Sequence, residues 1–271
     1  MKLEVKFNSK ENQSDYETVV LGNEGCIYLC TNDSILSDVR HIISKGNNIR
    51  FVTPIVPNKY ICRLQTFIQE ISNESIIKVT FNDFGLLYAC RELIYKKRII
   101  PVCGRVITRS MIDCYWIEKL IEGETEEIQR ELKQYNFSNK MKAEFIKEFN
   151  IAELEINYHE PYFLELVNKC NMNITIYKCN NLLSIGRVCF QARYYGHSLH
   201  NCNIDCFCKN NLEFRLNSLW SKKESKFIDN INHFPTNVYL HGNVVYERCN
   251  IGISQYSNCK NLSIICEGGI K

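Results

Sequence analysis

The stretch SIIKVTFNDFGLLYACRELIYKKRIIPVCG, residues 75–104, decides the fold. It opens on SIIKVTFN (75–82), a run rich in β-branched residues. It continues through DFGLLYACRELIYKK, which reads as a helix, and closes on a second apolar run, IIPVCG (99–104). Strand, helix and strand in succession make one βαβ unit, which requires its two strands to lie parallel in one sheet.

The same rhythm extends both ways. Upstream, LEVKF (3–7), TVVLG (18–22) and IRFVTP (49–54) read as strands. TNDSILSDVRHIISKG and NKYICRLQTFIQEIS read as helices, the former with Thr31 to Ser34 as caps and Gly46 as a stop. Downstream, helical periodicity runs with breaks from about Met111 to Phe149. IAELEIN (151–157), a helix near 161–170 and the strand NITIYK (173–178) follow. NVYLHGNVVYERC (237–249) suits a hairpin turning near Gly242 and Asn243, and NLSIICEG (261–268) is a last strand. Eight strands with helices between many of them predict an α/β fold of the (β/α)8 TIM-barrel type; an open doubly wound sheet is the alternative. The chain is expected to form a single barrel domain over 1–271, with a cysteine-rich loop at 184–210 and an inserted hairpin at 236–249.

Two departures from a full barrel are expected. Only Asn8 to Glu17 separate the first two strands, which leaves little room for a first helix, and almost nothing follows the last strand. A parallel sheet does not tolerate water on a face, so a second protein subunit or a homodimer partner is expected on that side.

Net charge is +3, too small to argue for nucleic acid. Lys96, Lys97, Arg98, Arg105 and Arg109 form a basic stretch without an acid; it reads as a solvated face, with an RNA or phosphate surface as the lesser reading. No apolar run is long enough to span a membrane and no signal-peptide core is visible, so a cytoplasmic protein is expected. Fifteen cysteines are then too many for ordinary usage and do not describe a disulfide scaffold. Cys90, Cys103 and Cys170 sit in apolar surroundings and read as small buried hydrophobes. Clustered cysteines point instead to metal.

The cluster lies in GRVCFQARYYGHSLHNCNIDCFC (186–208). Cys189, Cys202 and Cys206 can supply three thiolates, and Cys26, just past the second strand, a fourth. Loops at the carboxyl ends of barrel strands share one mouth, so residues this far apart in sequence can meet there. Four thiolates suit a [4Fe-4S] cluster. Zinc is the rival, with His197 or His200 as possible ligands. Cys30, four beyond Cys26, and Cys208, two beyond Cys206, can replace their neighbours. Asp83, at the end of the fourth strand, is placed for catalysis or for capping the next helix. Arg193, Tyr194 and Tyr195 can line a pocket or support the thiols. There is no phosphate-binding glycine motif, serine elbow or HExxH.

LGNEGC (21–26), TFNDFGLL (80–87) and CFQARYYGHSLHNCNIDC (189–206) resemble the collagenase-like U32 peptidase family, and within it the ubiquinone-biosynthesis, UbiV-like branch. The resemblance implies a barrel and a [4Fe-4S] cluster held by Cys26, Cys189, Cys202 and Cys206. It implies an iron–sulfur subunit of an oxygen-independent hydroxylation system, acting on a small molecule with a second family member. The alternatives are a non-catalytic partner with a structural metal, a peptidase, or an RNA-modifying protein.

Overall fold

The computed structural model describes residues 1–7, 16–32, 34–114, 117–135, 140–160, 162–186, 188–197, 202, 212–214 and 237–266. The chain begins with strands β1 (Lys2–Lys6) and β2 (Thr18–Gly22), followed by helices α1 (Ile27–Cys30) and α2 (Ser34–Ser44). Then come β3 (Asn48–Val52), α3 (Asn58–Glu74), β4 (Ile77–Phe81), α4 (Phe84–Ala89), α5 (Arg91–Tyr95) and β5 (Ile99–Cys103). Helices α6 (Ile117–Leu120), α7 (Glu126–Leu132) and α8 (Lys140–Glu148) lead to β6 (Glu153–Glu155), α9 (Tyr162–Lys169) and β7 (Asn173–Tyr177). The chain then forms β8 (Asn180–Ile185), α10 (Phe190–Tyr194), β9 (Leu212–Phe214), β10 (Val238–His241), β11 (Val244–Arg248) and β12 (Leu262–Cys266).

Strands β1 to β7 and β12 close into a parallel barrel in the order β1-β2-β3-β4-β5-β6-β7-β12. The eight predicted strands are these eight, each within a few residues of its expected bounds. Among the described residues, the expected long helical region between β5 and β6 is a 3-10 turn (Met111–Asp113) and three short helices. Among the described residues no helix lies between β1 and β2; residues 8–15, and those after β12, lie outside the description.

The hairpin expected at 236–249 is present as β10 and β11, paired antiparallel and joined through Gly242 and Asn243. It is not a lone insertion. It forms the centre of a second sheet of order β8-β11-β10-β9, built after β7. The sequence reading did not separate β8, because NNLLSI begins on two asparagines and runs into the cysteine segment.

Alternation along each barrel strand divides the core in two. Val19, Leu21, Ile49, Phe51, Val79, Phe81, Ile174, Ile176 and Ile264 belong to one large apolar cluster with Val39 and Ile42 of α2 and Leu64, Ile68 and Ile71 of α3. These form the layer between barrel and helices, where a fully buried side chain of this size contributes about 1.5–3 kcal/mol.

The alternate residues face the barrel interior, and there the chain is charged. Arg50 of β3 meets Glu4 of β1 through Nε at 2.5 Å, Glu155 of β6 at 2.9 Å, and Glu153 of β6. Strands β3 and β6 lie on different sides of the barrel, so these contacts cross its inside. Lys78 of β4 reaches Glu153 at 2.8 Å and Glu4 at 3.3 Å. Thr80 donates to Glu155 at 2.5 Å, and Tyr177 donates to it at 3.0 Å. Val20, Val52, Tyr177 and Ile265 form a small apolar cluster among them.

Burial alone would raise the Glu153 carboxyl, but the charges of Arg50 and Lys78 hold it at about 2, against 4.5 for the free group. Ionised Glu153 therefore stabilises the fold above pH 4.5, and that contribution is lost as the pH falls toward 2. Glu155 pulls the other way, because burial raises its carboxyl despite Arg50. The Glu153 share is isolated by comparison with Glu153→Gln. The variant is expected to lose less stability than the parent between pH 4.5 and 2 in urea titrations followed by circular dichroism. Equal losses in the two proteins would show that Glu153 carries none of this dependence.

Candidate functional site

A cavity of about 680 Å³ opens at the carboxyl ends of β2, β3 and β4, where barrel folds place their chemistry. Its walls come from separate parts of the chain: the Gly25–Tyr28 segment after β2, the 54–60 segment after β3, Asp83 after β4, Cys189 and Ala192 at α10, Cys202, and Asn243 of the hairpin turn. Cys26, Cys189 and Cys202 are thus brought into the wall of one cavity. Cys206 lies outside the described residues, as do Cys208 and His200.

Local backbone geometry places each thiol. After β2, Gly22 turns the chain with φ +80° and so close to Val52 that a Cβ would lie 2.2 Å from its carbonyl oxygen. Asn23 folds the loop back by accepting from the Gly25 N–H at 2.7 Å. Cys26 then takes an extended conformation as the residue that starts α1. Cys189 likewise starts α10, and its sulfur accepts from the Ala192 N–H at 3.3 Å. Burial pushes the Cys189 thiol up, and the nearby Cys202 adds to this while the backbone N–H groups oppose it. Cys26 is buried, and Cys189 and Cys202 are half-buried.

Cys30, the competitor of Cys26, is absent from the cavity wall. Its thiol lies against the Asn23 oxygen at 3.3 Å and the Val52 oxygen at 3.4 Å, and burial pushes its pKa up. Its work is to hold the loop to β3. Cys90 and Cys103 are core residues as expected. His197 does not line the cavity.

Two tyrosines that the sequence reading did not single out complete one side. The Tyr28 and Tyr60 hydroxyls are 3.2 Å apart, with the rings edge to face. Burial and the bond to Tyr60 push Tyr28 up to about 12, and the neighbouring Cys202 and Cys26 add to it. The bond from Tyr28 lowers Tyr60, helped by Lys59 and Arg63. Tyr28 thus lies within electrostatic reach of two of the three thiols. Pro54, Ile55, Val56 and Pro57 also line the cavity. Asp83 secures this stretch: one carboxylate oxygen caps α4 by accepting from Leu86 N–H at 2.9 Å, and the other accepts from Val56 N–H at 3.3 Å. Asp83 therefore caps α4, as one of its two readings expected, and it also lines the cavity.

Beneath the Cys26 loop lies a second buried ion pair. Glu24 pairs with Arg105 and accepts from the Tyr246 hydroxyl at 2.7 Å. Arg105 also donates to the Asn180 backbone and side-chain oxygens at 2.9 Å and stacks 3.7 Å from the centre of the Tyr177 ring. Burial alone would favour a neutral guanidinium, but Glu24 outweighs it and the group is held charged. This corrects the reading of the 96–109 basic stretch. Lys96 and Lys97 are exposed, but Arg105, two residues past the end of β5, is buried at 2% exposure against Glu24.

The donors fit a thiolate-bound group in kind, since three cysteines and no histidine among the described residues face the cavity. They are not gathered around a point: among the described residues no group of three or more His, Cys, Asp or Glu side chains is arranged to hold a metal ion. No helix among them is long and apolar enough to cross a membrane.

No protein-family model matches the chain, and no curated protein does. Among solved structures it is similar to one entitled "The Structure of the U32 Peptidase Mk0906", with a TM-score of 0.42 and 8% sequence identity over 99% of this chain and 93% of that one.

Proposed function

We propose that the cavity is the seat of an iron–sulfur centre and that the protein is the iron–sulfur subunit of an oxygen-independent hydroxylation system. The observation that carries this reading is the convergence of Cys26, from the loop after β2, with Cys189 and Cys202, from the cysteine-rich segment, on one cavity. Cys206, four residues beyond Cys202 in sequence, is the fourth ligand. The sequence resemblance to the UbiV-like branch of the U32 family supports the same four residues and a [4Fe-4S] cluster over zinc.

Thiolates bind metal only after losing their protons, so binding releases protons and draws the ligands together. When bound, a four-thiolate cluster supplies one-electron transfer. The chain's own residues then have definite roles. Ala192 N–H donates to the Cys189 sulfur and so favours its thiolate. Tyr28 and Tyr60 present a hydroxyl pair next to the thiols, able to hold a proton beside the centre. Pro54 to Pro57 give the cavity an apolar stretch of lining.

Anaerobically purified protein is expected to be brown, with absorbance near 400 nm, about four iron and four sulfide per chain and a paramagnetic resonance signal on reduction. Cys189→Ala is expected to lose them. Colourless protein containing stoichiometric zinc would overturn the reading. A structural centre is the second reading, favoured by the wide sequence separation of the segments that it would tie. In that case chelation unfolds the chain, whereas reduction and oxidation leave activity unchanged.

A further inference from the structure

The β10–β11 turn touches both of the separate segments that carry candidate ligands. Toward the first, Asn243 N–H donates to the Gly25 oxygen at 3.1 Å, one residue before Cys26. The approach is so close that a Cβ on Gly242 would lie 2.3 Å from that same oxygen, and Gly242 has φ +66°. A Cβ on Gly25 would in turn lie 2.8 Å from the His241 oxygen. Two glycines at these positions are what lets the backbones meet.

Toward the second segment, Gln191, two residues past Cys189, is fully buried. Its side-chain oxygen accepts from Gly242 N–H at 2.8 Å, and its own N–H donates to the Gly242 oxygen at 3.2 Å. Gly186 N–H donates to the Asn243 oxygen at 2.8 Å, and the Asn243 side-chain amide donates back to the Gly186 oxygen at 2.5 Å. One two-residue turn therefore bonds to the loop of Cys26 on one side and to the start of the cysteine-rich segment on the other.

We propose that the β10–β11 turn is a strut that sets the spacing between Cys26 and Cys189, with Gln191 and Gly242 as positioning residues for the thiol site. Neither residue supplies a ligand. Gln191 fixes α10, and so the Cys189 sulfur, against a turn that is itself seated on the Gly25–Cys26 backbone. Residues that orient metal ligands in this way typically change metal affinity 10–100-fold when replaced.

This inference rests on the thiol-centre reading, and its test separates the two. Gln191→Met keeps the side-chain volume and removes the acceptor; Gly242→Ala drives a methyl group into the Gly25 carbonyl. Each variant, with Ile68→Val in the helical layer as a control for general destabilisation, is purified anaerobically. Two properties are read: the rate of iron loss to a chelator, and the fluorescence gained when dibromobimane bridges neighbouring thiols in chelator-treated protein. Both Gln191→Met and Gly242→Ala are expected to lose iron at least about tenfold faster than the parent and to give less bridged product, while Ile68→Val matches the parent in both. Gln191→Glu, which keeps the acceptor, is expected to recover part of the bridging. Should Gln191→Met and Gly242→Ala hold iron and bridge as the parent does, the strut is overturned. A parent that binds no iron overturns the thiol-centre reading, while the bridging yields still decide whether the turn spaces the two cysteines.

Discussion

Replacing Arg50 with methionine is expected to lower the unfolding free energy by about 3–5 kcal/mol, the usual result of removing one partner from a buried ionic group. Net stabilities of domains are only about 5–15 kcal/mol, so the variant is expected to be largely unfolded under mild denaturation. The reason lies in what remains. Glu4, Glu153 and Glu155 all turn toward Arg50, and each is essentially without solvent contact. Lys78 reaches Glu4 and Glu153 but is itself 25% exposed, and no contact joins it to Glu155. Without the guanidinium, three carboxylates share the barrel interior with one amine, and they must take up protons or admit water. Arg50→Lys is expected to recover only part of the loss, because an ammonium lacks the planar fork that meets carboxylates on several sides. Urea unfolding followed by circular dichroism measures both. A loss below about 1 kcal/mol for Arg50→Met, the range of an exposed pair, would show that water already reaches this cluster.

The barrel was legible from the sequence because its outward strand faces pack on helices, which enforces apolar runs at regular intervals. Phe51, Val79 and Ile174 announce themselves in this way. The interior was not legible for a physical reason. Glu4, Arg50, Lys78, Glu153 and Glu155 each occupy one polar position in a strand, and such a position reads as a solvent-facing residue. Only closure of the sheet brings β1, β3 and β6 across from one another, and no local pattern encodes that. Arg105 was misread on similar grounds: it follows Lys96, Lys97 and Arg98 in sequence, yet it lies two residues past the end of β5 and is buried. Its place directly after a barrel strand and Gly104 was the available signal. The cysteines behaved differently. The spacing of Cys189 and Cys202, and the position of Cys26 after β2, were sufficient to name residues that share a cavity. Spacing did not separate Cys26 from Cys30, and the hydrogen bonds of Cys30 do. Tyr28 and Tyr60 carry no motif, since their pairing depends on how α3 approaches α1. Gln191 lay inside the quoted cysteine segment, but its importance comes from a turn about fifty residues later.

The Glu24–Arg105 pair yields the second large effect, on the loop as well as on the fold. Glu24→Ala is expected to cost about 3–5 kcal/mol, because it leaves Arg105 charged, fully buried and without its paired carboxylate. Asn180 and the Tyr177 ring still engage the guanidinium, but neither neutralises it. The double variant Glu24→Ala with Arg105→Met is expected to be more stable than Glu24→Ala alone, since the unpaired charge is gone; the difference is a direct measure of coupling. Glu24 also has a local consequence that the Arg50 cluster lacks. It stands two residues before Cys26, and its carboxylate ties that loop to β5 through Arg105 and to β11 through Tyr246. Freed from both, the loop opens more often, and Cys26, only 8% exposed in the fold, meets solvent. In chelator-treated protein, iodoacetamide is expected to modify Cys26 at least about tenfold faster in Glu24→Ala, corresponding to about 1.4 kcal/mol of easier opening. Cys90, buried in the helical layer, reports global unfolding in the same digest. If Cys26 and Cys90 accelerate together, Glu24 stabilises the domain as a whole; if Cys26 accelerates alone, the ion pair is what keeps the first thiol in the cavity wall.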